Sequence, residues 1–394
     1  MERTQPIVAG VVTALVGFAS SFTVVLAGLR AVGADERQAA SGLMALCVAV
    51  GVVSVVLGLR YRMPIAIAWS TPGAALLLTA GGGFAEAVGA FVVCGLLIMA
   101  AGLVPWLGRA IAAIPGPIAA AMLAGVLLKL CLAPVHAMVA VPYLAGPVIV
   151  VWALLYRFAR TWAVPGALAT AVAAIALTAT PANLSLVPVV ELTAPVFTLP
   201  AVVGIAVPLF LVTMAAQNVP GMAVLSGYGY RPPLRGVLLA TGAASALGAP
   251  FGGHAVNLAA ITAALAASPE AAPDPARRWI ASVTAGVSMI GLGLLSSVAA
   301  AFVLLSPPVL VEAVAGLALF GALGSALSSA FTEPHGRPHG REGAVVTFAV
   351  TASGVSWLGV GSAFWGLVAG GLMHLLVRRA QAASLRSTLP TESR

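Results

Sequence analysis

The sequence predicts an all-α polytopic membrane protein with fourteen transmembrane segments, arranged as an inverted repeat of seven and seven. Three observations support this prediction. Only 8% of the 394 residues are charged, whereas soluble proteins contain about 25%. Apolar runs of about 20 residues, the length that crosses a bilayer, follow one another from end to end. The first and third runs of each half are interrupted by polar or helix-breaking residues, as in transporters with inverted repeats.

Seven apolar runs make up the first half of the chain and predict spans 1 to 7. Span 1 is interrupted by Ser20-Ser21, and span 3 contains the sequence Trp69-Ser70-Thr71-Pro72-Gly73. Span 5 is opened by Pro115-Gly116-Pro117, and the other four spans are ordinary apolar helices. The expected bounds are about 6–32, 39–59, 64–80, 84–107, 110–133, 142–156 and 162–179.

A polar loop at 181–198 leads into the second half, where seven further runs predict spans 8 to 14. The apolar run of span 8 stops at Gln217-Asn218 and resumes to Leu225, and span 10 begins with Pro250-Phe251-Gly252-Gly253. A polar tail at 381–394, expected in the cytoplasm, follows the last span. The expected bounds are about 199–216, 236–248, 250–267, 279–305, 308–330, 343–354 and 357–377.

The distribution of charge supports fourteen spans with both termini in the cytoplasm. Of the 19 basic residues, only Arg30 and Arg37 fall on the outer side in this topology, and Lys129 lies within span 5. All others fall inside, as the positive-inside rule requires, and a missed or invented span would invert every later loop. The surplus of positive charge is therefore an orientation signal, which argues against binding of nucleic acid.

The break in span 10 points to a half-helix that begins inside the membrane. Pro250 lacks a backbone donor, and the adjacent Gly252 and Gly253 disfavour a helix interior. Non-helical backbone at this depth is tolerated only where it is buried in protein or lines a watery cavity. We expect the helix to resume directly after Gly253, which would place His254 and Asn257 on one face of its first turn.

The break in span 3 predicts a second half-helix that faces the first. Ser70 or Thr71 can cap its N-terminus, and Pro72 suits the first helical position, where its missing N–H group costs nothing. Two half-helix N-termini that face each other near the bilayer midplane would provide an anion site. The alternative is that both segments are ordinary helices kinked at proline. Trp69 is as well suited to packing or interface anchoring as to stacking on a ligand.

The side chains near these breaks favour a small organic anion over a nucleobase. No Asp or Glu is predicted at midplane depth, so the N–H groups of a base would lack acceptors. A carboxylate would find donors in the amides, hydroxyls and backbone N–H groups of the breaks, and in a protonated imidazole. An aromatic ring would suit apolar walls, for which the candidates are Phe18, Phe22, Trp69 and Phe251.

Twelve residues at the four breaks are the predicted substrate-binding residues. They are Ser20, Ser21, Trp69, Ser70, Thr71, Gly73, Gln217, Asn218, Phe251, Gly253, His254 and Asn257. His254 is also the predicted proton-coupling residue, because an ionisable group inside a membrane points to function and an unperturbed imidazole titrates near neutral pH. It is the only histidine predicted to lie in a membrane break.

Several of these polar residues also have a structural interpretation. Gln217 and Asn218 could join neighbouring helices, as amides in membranes do. Ser20 and Ser21 could instead hydrogen-bond to their own helix. The sequence alone leaves these alternatives open.

Two motifs resemble the benzoate/proton symporter family of bacteria. They are Ala68-Trp69-Ser70-Thr71-Pro72-Gly73-Ala74-Ala75-Leu76 and Pro250-Phe251-Gly252-Gly253-His254-Ala255-Val256-Asn257-Leu258. The resemblance covers essentially the whole chain, and the family is similar in fold to uracil permease and the nucleobase–ascorbate transporters. Those nucleobase carriers typically hold carboxylates at the positions that match Gln217 and His254, so this chain departs from them toward an anionic substrate.

The resemblance implies a core domain and a gate domain that move against each other. The substrate would lie between them, at short strands that precede the half-helices of spans 3 and 10. The core would comprise residues 1–108 and 199–306, and the gate residues 109–180 and 307–380. The implied function is import of a small benzoate-like aromatic carboxylate with protons across the bacterial inner membrane. A nucleobase/proton symporter, or a carrier of another organic anion with the same fold, is the alternative.

Other classes of protein fit the sequence less well. A channel needs a continuous polar path, and too few polar residues lie outside the proposed site. A membrane-embedded enzyme needs a catalytic constellation, and no HExxH, GxSxG or paired-carboxylate pattern occurs. We therefore expect no catalytic residue, metal or cofactor, and partners limited to the substrate, protons and the lipid bilayer. Whether the chain forms a homodimer stays open.

The three cysteines have no ligand spacing and lie in apolar segments. Cys47, Cys94 and Cys131 are therefore expected to be buried and inert.

Overall fold

A computed structural model of the chain describes residues 4–104, 115–178, 187–259, 261–305, 307–332, 341–355, 357 and 362–387. The expected end of span 4, the start of span 5, most of the loop before span 13 and the last residues of the tail lie outside the described residues. Within them the chain is mostly helical, with two short strands.

Eight helices and one strand lie within the first seven predicted spans. Helices α1 and α2 share span 1, while strand β1 and helix α4 share span 3. In chain order they are α1 (Gln5–Ala19), α2 (Phe22–Ala31), α3 (Glu36–Tyr61), β1 (Ile67–Trp69), α4 (Thr71–Leu77), α5 (Phe84–Leu103), α6 (Gly116–Ala140), α7 (Pro142–Phe158) and α8 (Ala163–Thr178).

The second half repeats this pattern, with a strand and a short helix in its third predicted span. Its elements are α9 (Leu199–Gly227), α10 (Leu234–Gly248), β2 (Val256–Leu258), α11 (Ile261–Ala267), α12 (Trp279–Gly293), α13 (Ser296–Leu305), α14 (Pro308–Phe331), α15 (Arg341–Ala352) and α16 (Ser362–Ser387).

Seven helical stretches among the described residues are long and apolar enough to cross a membrane. They are Gln5–Ala31, Glu36–Tyr61, Phe84–Leu103, Gly116–Ala140, Leu199–Gly227, Leu234–Phe251 and Pro308–Phe331. Three shorter apolar helices accompany them, Pro142–Phe158, Ala163–Leu177 and Ser362–Val377. The chain is therefore a mostly helical multi-pass membrane protein, and its division into fourteen spans in two inverted halves stays a prediction.

Helix α3 shows how local sequence sets a boundary. The side chain of Asp35 accepts from the Gln38 N–H group at 2.8 Å, and the Gln38 side chain accepts from the Asp35 N–H group at 3.0 Å. This reciprocal capping satisfies two donors that a helix start leaves unpaired. The helix ends where Arg62 adopts a left-handed conformation with a φ of 51°.

The predicted interruptions of spans 1 and 8 take different forms. Span 1 is broken between α1 and α2 at Ser20-Ser21, as expected. Helix α9 runs through Gln217-Asn218 as a π-helical segment, Met214–Asn218, so this interruption is a bulge and not a gap. The turn at Leu294-Leu295, which separates α12 from α13, was not predicted, although Gly293 precedes it and Ser296-Ser297 follow it.

The two strands pair at the point where the broken spans 3 and 10 cross. They run antiparallel, with Ile67 opposite Leu258 and Trp69 opposite Val256. Backbone bonds from Ser70 N–H to the Ala255 carbonyl, 2.8 Å, and from Ala259 N–H to the Ala66 carbonyl, 3.0 Å, extend the pairing at each end. These are the short strands that the resemblance implied.

The expectation that a helix resumes directly after Gly253 is wrong. Gly252 turns the chain with a φ of 91°, His254 lies in a segment that is neither helix nor strand, and Asn257 lies in β2. The helix begins only at Ile261, so His254 and Asn257 do not share a helical turn. Strand β1 supplies hydrogen-bond partners that the local sequence does not reveal, and this pairing overrides the local preference for helix.

The packed interior consists of one large hydrophobic cluster and three smaller ones. All three cysteines are buried in it as free thiols, as predicted.

Candidate functional site

The paired strands are held at the centre of the molecule by serine hydroxyls from two helices. Ser54 of α3 accepts from the first N–H group of β1, that of Ile67, at 3.2 Å. Ser245 of α10 accepts from the first N–H group of β2, that of Val256, at 2.9 Å. A buried backbone donor without a partner would be costly, so these serines stabilise non-helical backbone inside the membrane.

The last residue of each strand is tied to the interruption of span 1 or span 8. The Trp69 indole N–H group donates to the Ser21 hydroxyl at 2.9 Å. The Leu258 backbone N–H group donates to the Asn218 side-chain oxygen at 2.9 Å. Two of the predicted residues, Ser21 and Asn218, therefore hold the ends of the strands in place.

Ser70 is the cap of half-helix α4, one of the two candidates for that role. Its hydroxyl accepts from the Gly73 N–H group at 3.2 Å and from the Thr213 hydroxyl at 2.8 Å. Helix α4 begins at Thr71, so Pro72 occupies the second helical position and not the first. A Cβ atom on Gly73 would overlap the tip of the Leu209 side chain and the Ser70 hydroxyl, so Gly73 leaves room for both side chains.

Asn257, the middle residue of β2, is fully buried. In the amide orientation that satisfies both of its polar atoms, its oxygen accepts from the Ser70 N–H group at 3.0 Å and its nitrogen donates to the Leu258 carbonyl at 2.8 Å. Asn257 and Ser70 thus form part of the scaffold of the crossing point.

A small cavity of about 40 Å³ lies beside β1. Four hydroxyls, from Thr13, Ser21, Ser54 and Thr262, and the Trp69 side chain contribute to its walls, and no charged side chain does. The other lining residues have no polar side chain and come from α1, α3, α12, β1 and the residue before β1. These residues are Ala14, Gly17, Val50, Ala66, Ile67, Ala68, Ala285 and Met289.

Of the twelve predicted residues, only Ser21 and Trp69 line this cavity. Thr13, Ser54 and Thr262, which also line it, were not among the predicted residues. One signal was available for Thr13, since Thr13, Gly17 and Ser21 recur every four residues and so share one face of span 1.

The predicted aromatic wall is only partly assembled. Phe18 stacks on Phe22 with ring centroids 5.1 Å apart, and its edge meets Trp69 at 6.0 Å. Phe251 lies elsewhere, in the turn before β2, where its carbonyl accepts from the Ser41 hydroxyl at 2.9 Å.

His254 is fully buried and lies apart from the cavity. Its ring meets Phe91 of α5 edge to face, with centroids 6.2 Å apart. Neither ring nitrogen makes a hydrogen bond of standard geometry to a described residue, although the Ala255 backbone lies close enough to interact with the ring. The neighbouring Gly253 N–H group, a predicted donor to substrate, donates to the Gly248 carbonyl at 3.1 Å.

The remaining predicted residues differ in their exposure and partners. Ser20 and Ser21 both donate to the Gly17 carbonyl, at 3.0 and 3.2 Å, so the bonding of these serines to their own helix is present. Thr71 is half-buried. Gln217 is half-buried in the π-helical segment of α9, and its amide has no hydrogen bond to any described residue.

A second cavity, of about 460 Å³, lies between the start of α1 and the end of α11. It shares Thr13 with the first cavity and reaches the exposed residues Thr4 and Glu270. The two cavities thus lie on either side of Thr13, one beside the paired strands and the other reaching the exposed end of α1. No group of three potential metal-ligating side chains occurs in the described part of the chain.

Broken helices whose strands cross inside a helical membrane bundle, beside a hydroxyl-lined cavity, define a membrane transporter. Comparison with known proteins agrees. The chain belongs to the BenE family, described as benzoate membrane transport protein, whose model matches residues 2–376. This is a family of transporters and not of enzymes.

Two relatives match almost the whole chain. The chain is 37% identical over 376 residues to inner membrane protein YdcO of Escherichia coli, covering 94% of this chain and 95% of the relative. It is 28% identical over 384 residues to the benzoate membrane transport protein of Acinetobacter baylyi, covering 95% and 96%. The transmembrane domain of a cyanobacterial bicarbonate transporter, BicA, shares the fold, with a TM-score of 0.61 at 15% identity over 94% of this chain and 97% of that one.

Proposed function

We propose that the chain imports a small benzoate-like aromatic carboxylate together with protons across the bacterial inner membrane, by movement of the core domain against the gate domain. The observation that carries this proposal is the cavity at the crossing of the strands. It is lined by four residues with hydroxyl groups and by the Trp69 ring, whose N–H group binds Ser21, and no Asp or Glu is buried among the described residues. Such a site suits an anion with an aromatic ring better than a nucleobase, which needs acceptors for its N–H groups.

The size of the cavity supports a mechanism in which its walls move. A volume of about 40 Å³ holds a few water molecules, each of which needs roughly 10–15 Å³ on this measure. An aromatic acid is larger, so the site must widen to admit it. The second cavity, which reaches Thr4 and Glu270, is the proposed release path toward the cytoplasm.

Equivalent contacts in the two halves support the inverted repeat. Ser54 of span 2 binds the start of β1, and Ser245 of span 9, seven spans later, binds the start of β2. Ser21 of span 1 binds the last residue of β1, and Asn218 of span 8 binds the last residue of β2.

Two pairs of glycines obey the same symmetry. A Cβ atom on Gly51 of α3 would lie 2.5 Å from the Gly286 carbonyl oxygen of α12, and one on Gly242 of α10 would lie 2.7 Å from the Gly95 carbonyl oxygen of α5. These are spans 2 and 11 in one pair and spans 9 and 4 in the other. Span 9 lies seven spans after span 2, and span 11 lies seven spans after span 4, so a shift of seven spans converts one pair into the other. An inverted repeat of seven spans requires this correspondence.

Contacts between loops support the proposed topology. The Gln5 amide donates to the Glu270 carbonyl at 3.0 Å, which joins two segments assigned to the cytoplasm. On the opposite side, Arg37 forms an ion pair of 3.1 Å with Glu191, which joins two segments assigned to the outside.

The three smaller hydrophobic clusters support the division into core and gate. One contains only core residues, and the other two contain only gate residues. The core cluster comprises Ala66, Ala259, Ala263, Ala266, Ala271 and Ala281. The gate clusters comprise Ala137, Ala145, Val148, Ala167, Ala171, Ile175, Leu310, Ala313, Val314 and Leu317, and Ala121, Ala330 and Ala344.

His254 is the proposed proton-coupling residue. An imidazole is the only side chain whose unperturbed pKa places its change of charge between pH 5 and 8. A buried polar group without a partner costs free energy, and neither nitrogen of His254 makes a hydrogen bond of standard geometry to a described residue. A carboxylate that reached the ring would pair with the protonated form, so that substrate and proton would favour each other's binding.

Gln217 is the proposed substrate contact on α9. Its side chain lies at a π-helical segment, a feature often found at functional sites, and it has no partner among the described residues. We expect Gln217→Glu to weaken binding of a carboxylate at least ten-fold, about 1.4 kcal/mol, because a donor becomes a like charge. Gln217→Met, which removes the donor without adding charge, is the matched control and is expected to lose less.

Counterflow in proteoliposomes tests the proposed function. Vesicles loaded with unlabelled benzoate should take up labelled benzoate, and excess uracil or xanthine should not compete. Exchange distinguishes a carrier from a channel, and recovery of unchanged benzoate excludes an enzyme. Exchange of labelled uracil in the absence of benzoate exchange would overturn the proposal in favour of a nucleobase carrier.

A further inference from the structure

Arg278 is the one Arg, Lys, Asp or Glu residue that is buried among the side chains that the structure describes, with 6% of its surface exposed. Its guanidinium donates to three backbone carbonyls, those of Ala272 at 2.8 Å, Ala267 at 2.9 Å and Pro273 at 3.4 Å. In the described part of the chain it forms no ion pair with a carboxylate. Arg278 therefore has a fixed place in the structure, beyond its contribution to the orientation of the chain in the membrane.

The carbonyl of Ala267 is the last one of half-helix α11. The final carbonyls of a helix have no partner within the helix and carry partial negative charge, so a cation is favoured there. A guanidinium presents five donors in a planar fork and can bind several carbonyls at once. Arg278, which lies just before α12, thus joins the end of α11 to the start of the next span.

The last carbonyls of the other half-helix, α4, bind backbone N–H groups and not an arginine. At the end of α4 the carbonyls of Leu76 and Leu77 accept from the backbone N–H groups of Thr79 and Ala80, both at 3.1 Å. The arginine is therefore specific to α11 and is not a general requirement of the inverted pattern.

Half-helix α11 needs an anchor because its own packing is weak. Both half-helices have seven residues, a length that is marginal for an isolated helix, but α4 buries Leu76 and Leu77, whereas the buried side chains described on α11 are alanines. The buried cluster around it consists entirely of alanines, among them Ala263, Ala266 and Ala281. Alanine carries a single methyl group, so each contributes little burial.

We propose that Arg278 is a positioning residue for transport, because it holds α11 as a wall of the binding cavity. Thr262 of α11 lines the small cavity, and Leu265 of the same helix lines the larger one. The effect of Arg278 on transport rests on the proposed function, whereas its effect on α11 does not. Loss of the guanidinium frees the end of α11, and the cavity then loses a fixed wall.

Hydrogen exchange on purified protein tests the positioning of α11 without any substrate. Arg278→Gln is expected to accelerate exchange of the amides in 262–273 at least ten-fold. Arg277→Gln is the matched control, because it removes the same charge one residue away and Arg277 is not buried. Unchanged exchange in Arg278→Gln, or equal acceleration in Arg277→Gln, would overturn the proposal.

Uptake kinetics of labelled benzoate distinguish positioning from a general loss of fold. We expect Arg278→Gln to raise the apparent KM at least five-fold, while the maximal rate per folded transporter stays within two-fold. Arg278→Lys keeps the charge but cannot reproduce the planar fork, so its KM should fall between the two. A fall in the amount of folded protein with an unchanged KM would contradict the positioning role. Absence of benzoate transport in the wild type would refute the proposed function, and hydrogen exchange would still decide the role of Arg278.

Discussion

Ser20 and Ser21 are adjacent in sequence and have different roles in the structure. Both hydroxyls bond to the Gly17 carbonyl, but only Ser21 also accepts the indole N–H group of Trp69, at 2.9 Å. Trp69 is almost fully buried. Ser21 therefore links the break in span 1 to strand β1, whereas Ser20 satisfies only its own helix.

This difference predicts unequal effects of the two alanine variants. Ser21→Ala should lower the free energy of unfolding by roughly 1–3 kcal/mol, because it leaves a buried donor without a partner. Ser20→Ala should change it by less than about 0.5 kcal/mol. Thermal unfolding of the two detergent-solubilised variants, followed by loss of the monodisperse peak, measures the contrast. Equal stability of the two variants would contradict the assigned role of Ser21.

At the residue scale, what could be predicted from the sequence depended on how local the cause was. The cap at Ser70 and the break at Ser20-Ser21 follow from neighbouring residues, and both are present. The positions of His254 and Asn257 depend on β1, which lies almost two hundred residues earlier, and local propensity placed them wrongly on a helix. The cavity residues Thr13, Ser54 and Thr262 come from three separate spans, so spacing along one span could not bring them together.

At the scale of secondary structure elements, the helices around the strands pack closely against each other. Two of the three glycines of helix α12, Gly286 and Gly291, differ in their surroundings. A Cβ atom on Gly286 would lie 2.7 Å from the Gly51 carbonyl oxygen of α3, whereas one on Gly291 would meet no atom within 4 Å. Gly286 is therefore required for contact between α3 and α12, and Gly291 is not.

Alanine substitution on α12 tests this contact. Gly286→Ala should destabilise the protein by about 1–3 kcal/mol, because overpacking forces the backbones of α3 and α12 apart. Gly291→Ala should be neutral or stabilise by up to about 1 kcal/mol, since alanine favours helix over glycine. The same thermal unfolding assay compares them. A destabilised Gly291→Ala together with an unaffected Gly286→Ala would show that the helices do not meet at Gly286.

The strands themselves could not have been derived from periodicity. Each has three residues, too few to show an alternating pattern, and the two pair across half the chain. Only the resemblance to a known family indicated them. The continuity of helix α9 could not be predicted from the local sequence either, because its π-helical segment keeps the helix continuous where the polarity pattern suggested an interruption.

At the scale of the whole molecule, further contacts join segments that are predicted to lie on the same side of the membrane. Arg62 lies over the Trp279 ring at 4.2 Å, which joins two segments predicted to be cytoplasmic. The Val196 N–H group donates to the Ala85 carbonyl at 2.9 Å, which joins two segments predicted to be outside. Charge bias along the sequence and contacts in the structure thus favour the same topology.

Single cysteines at two exposed alanines test this topology. Ala194 lies in the loop before α9 and Ala276 in the loop before α12, and both are exposed. In a background without the three native cysteines, Ala276→Cys should react with an impermeant maleimide only from the cytoplasmic side, and Ala194→Cys only from the outside. Labelling of both from one side would rule out the fourteen-span arrangement.

The proposed proton coupling would supply the energy that import of an anion requires. Import of an anion against an inside-negative potential costs about 2.3 kcal/mol per charge for each 100 mV. One proton carried with the anion makes the translocated load neutral, and a second makes the potential a driving force. The proposed carrier of the proton, His254, is buried without a hydrogen bond of standard geometry to a described residue.

Accumulation of labelled benzoate in proteoliposomes under an inward proton gradient tests the central claim most directly. Wild-type protein should concentrate benzoate above the level reached in protein-free liposomes, which corrects for passive entry of the neutral acid. His254→Gln, which keeps hydrogen-bonding capacity but does not titrate near neutral pH, should retain exchange of benzoate and lose this gradient-driven accumulation. Accumulation by His254→Gln equal to that of the wild type would contradict the assignment of the proton to His254, and no accumulation by the wild type would contradict proton-coupled import itself.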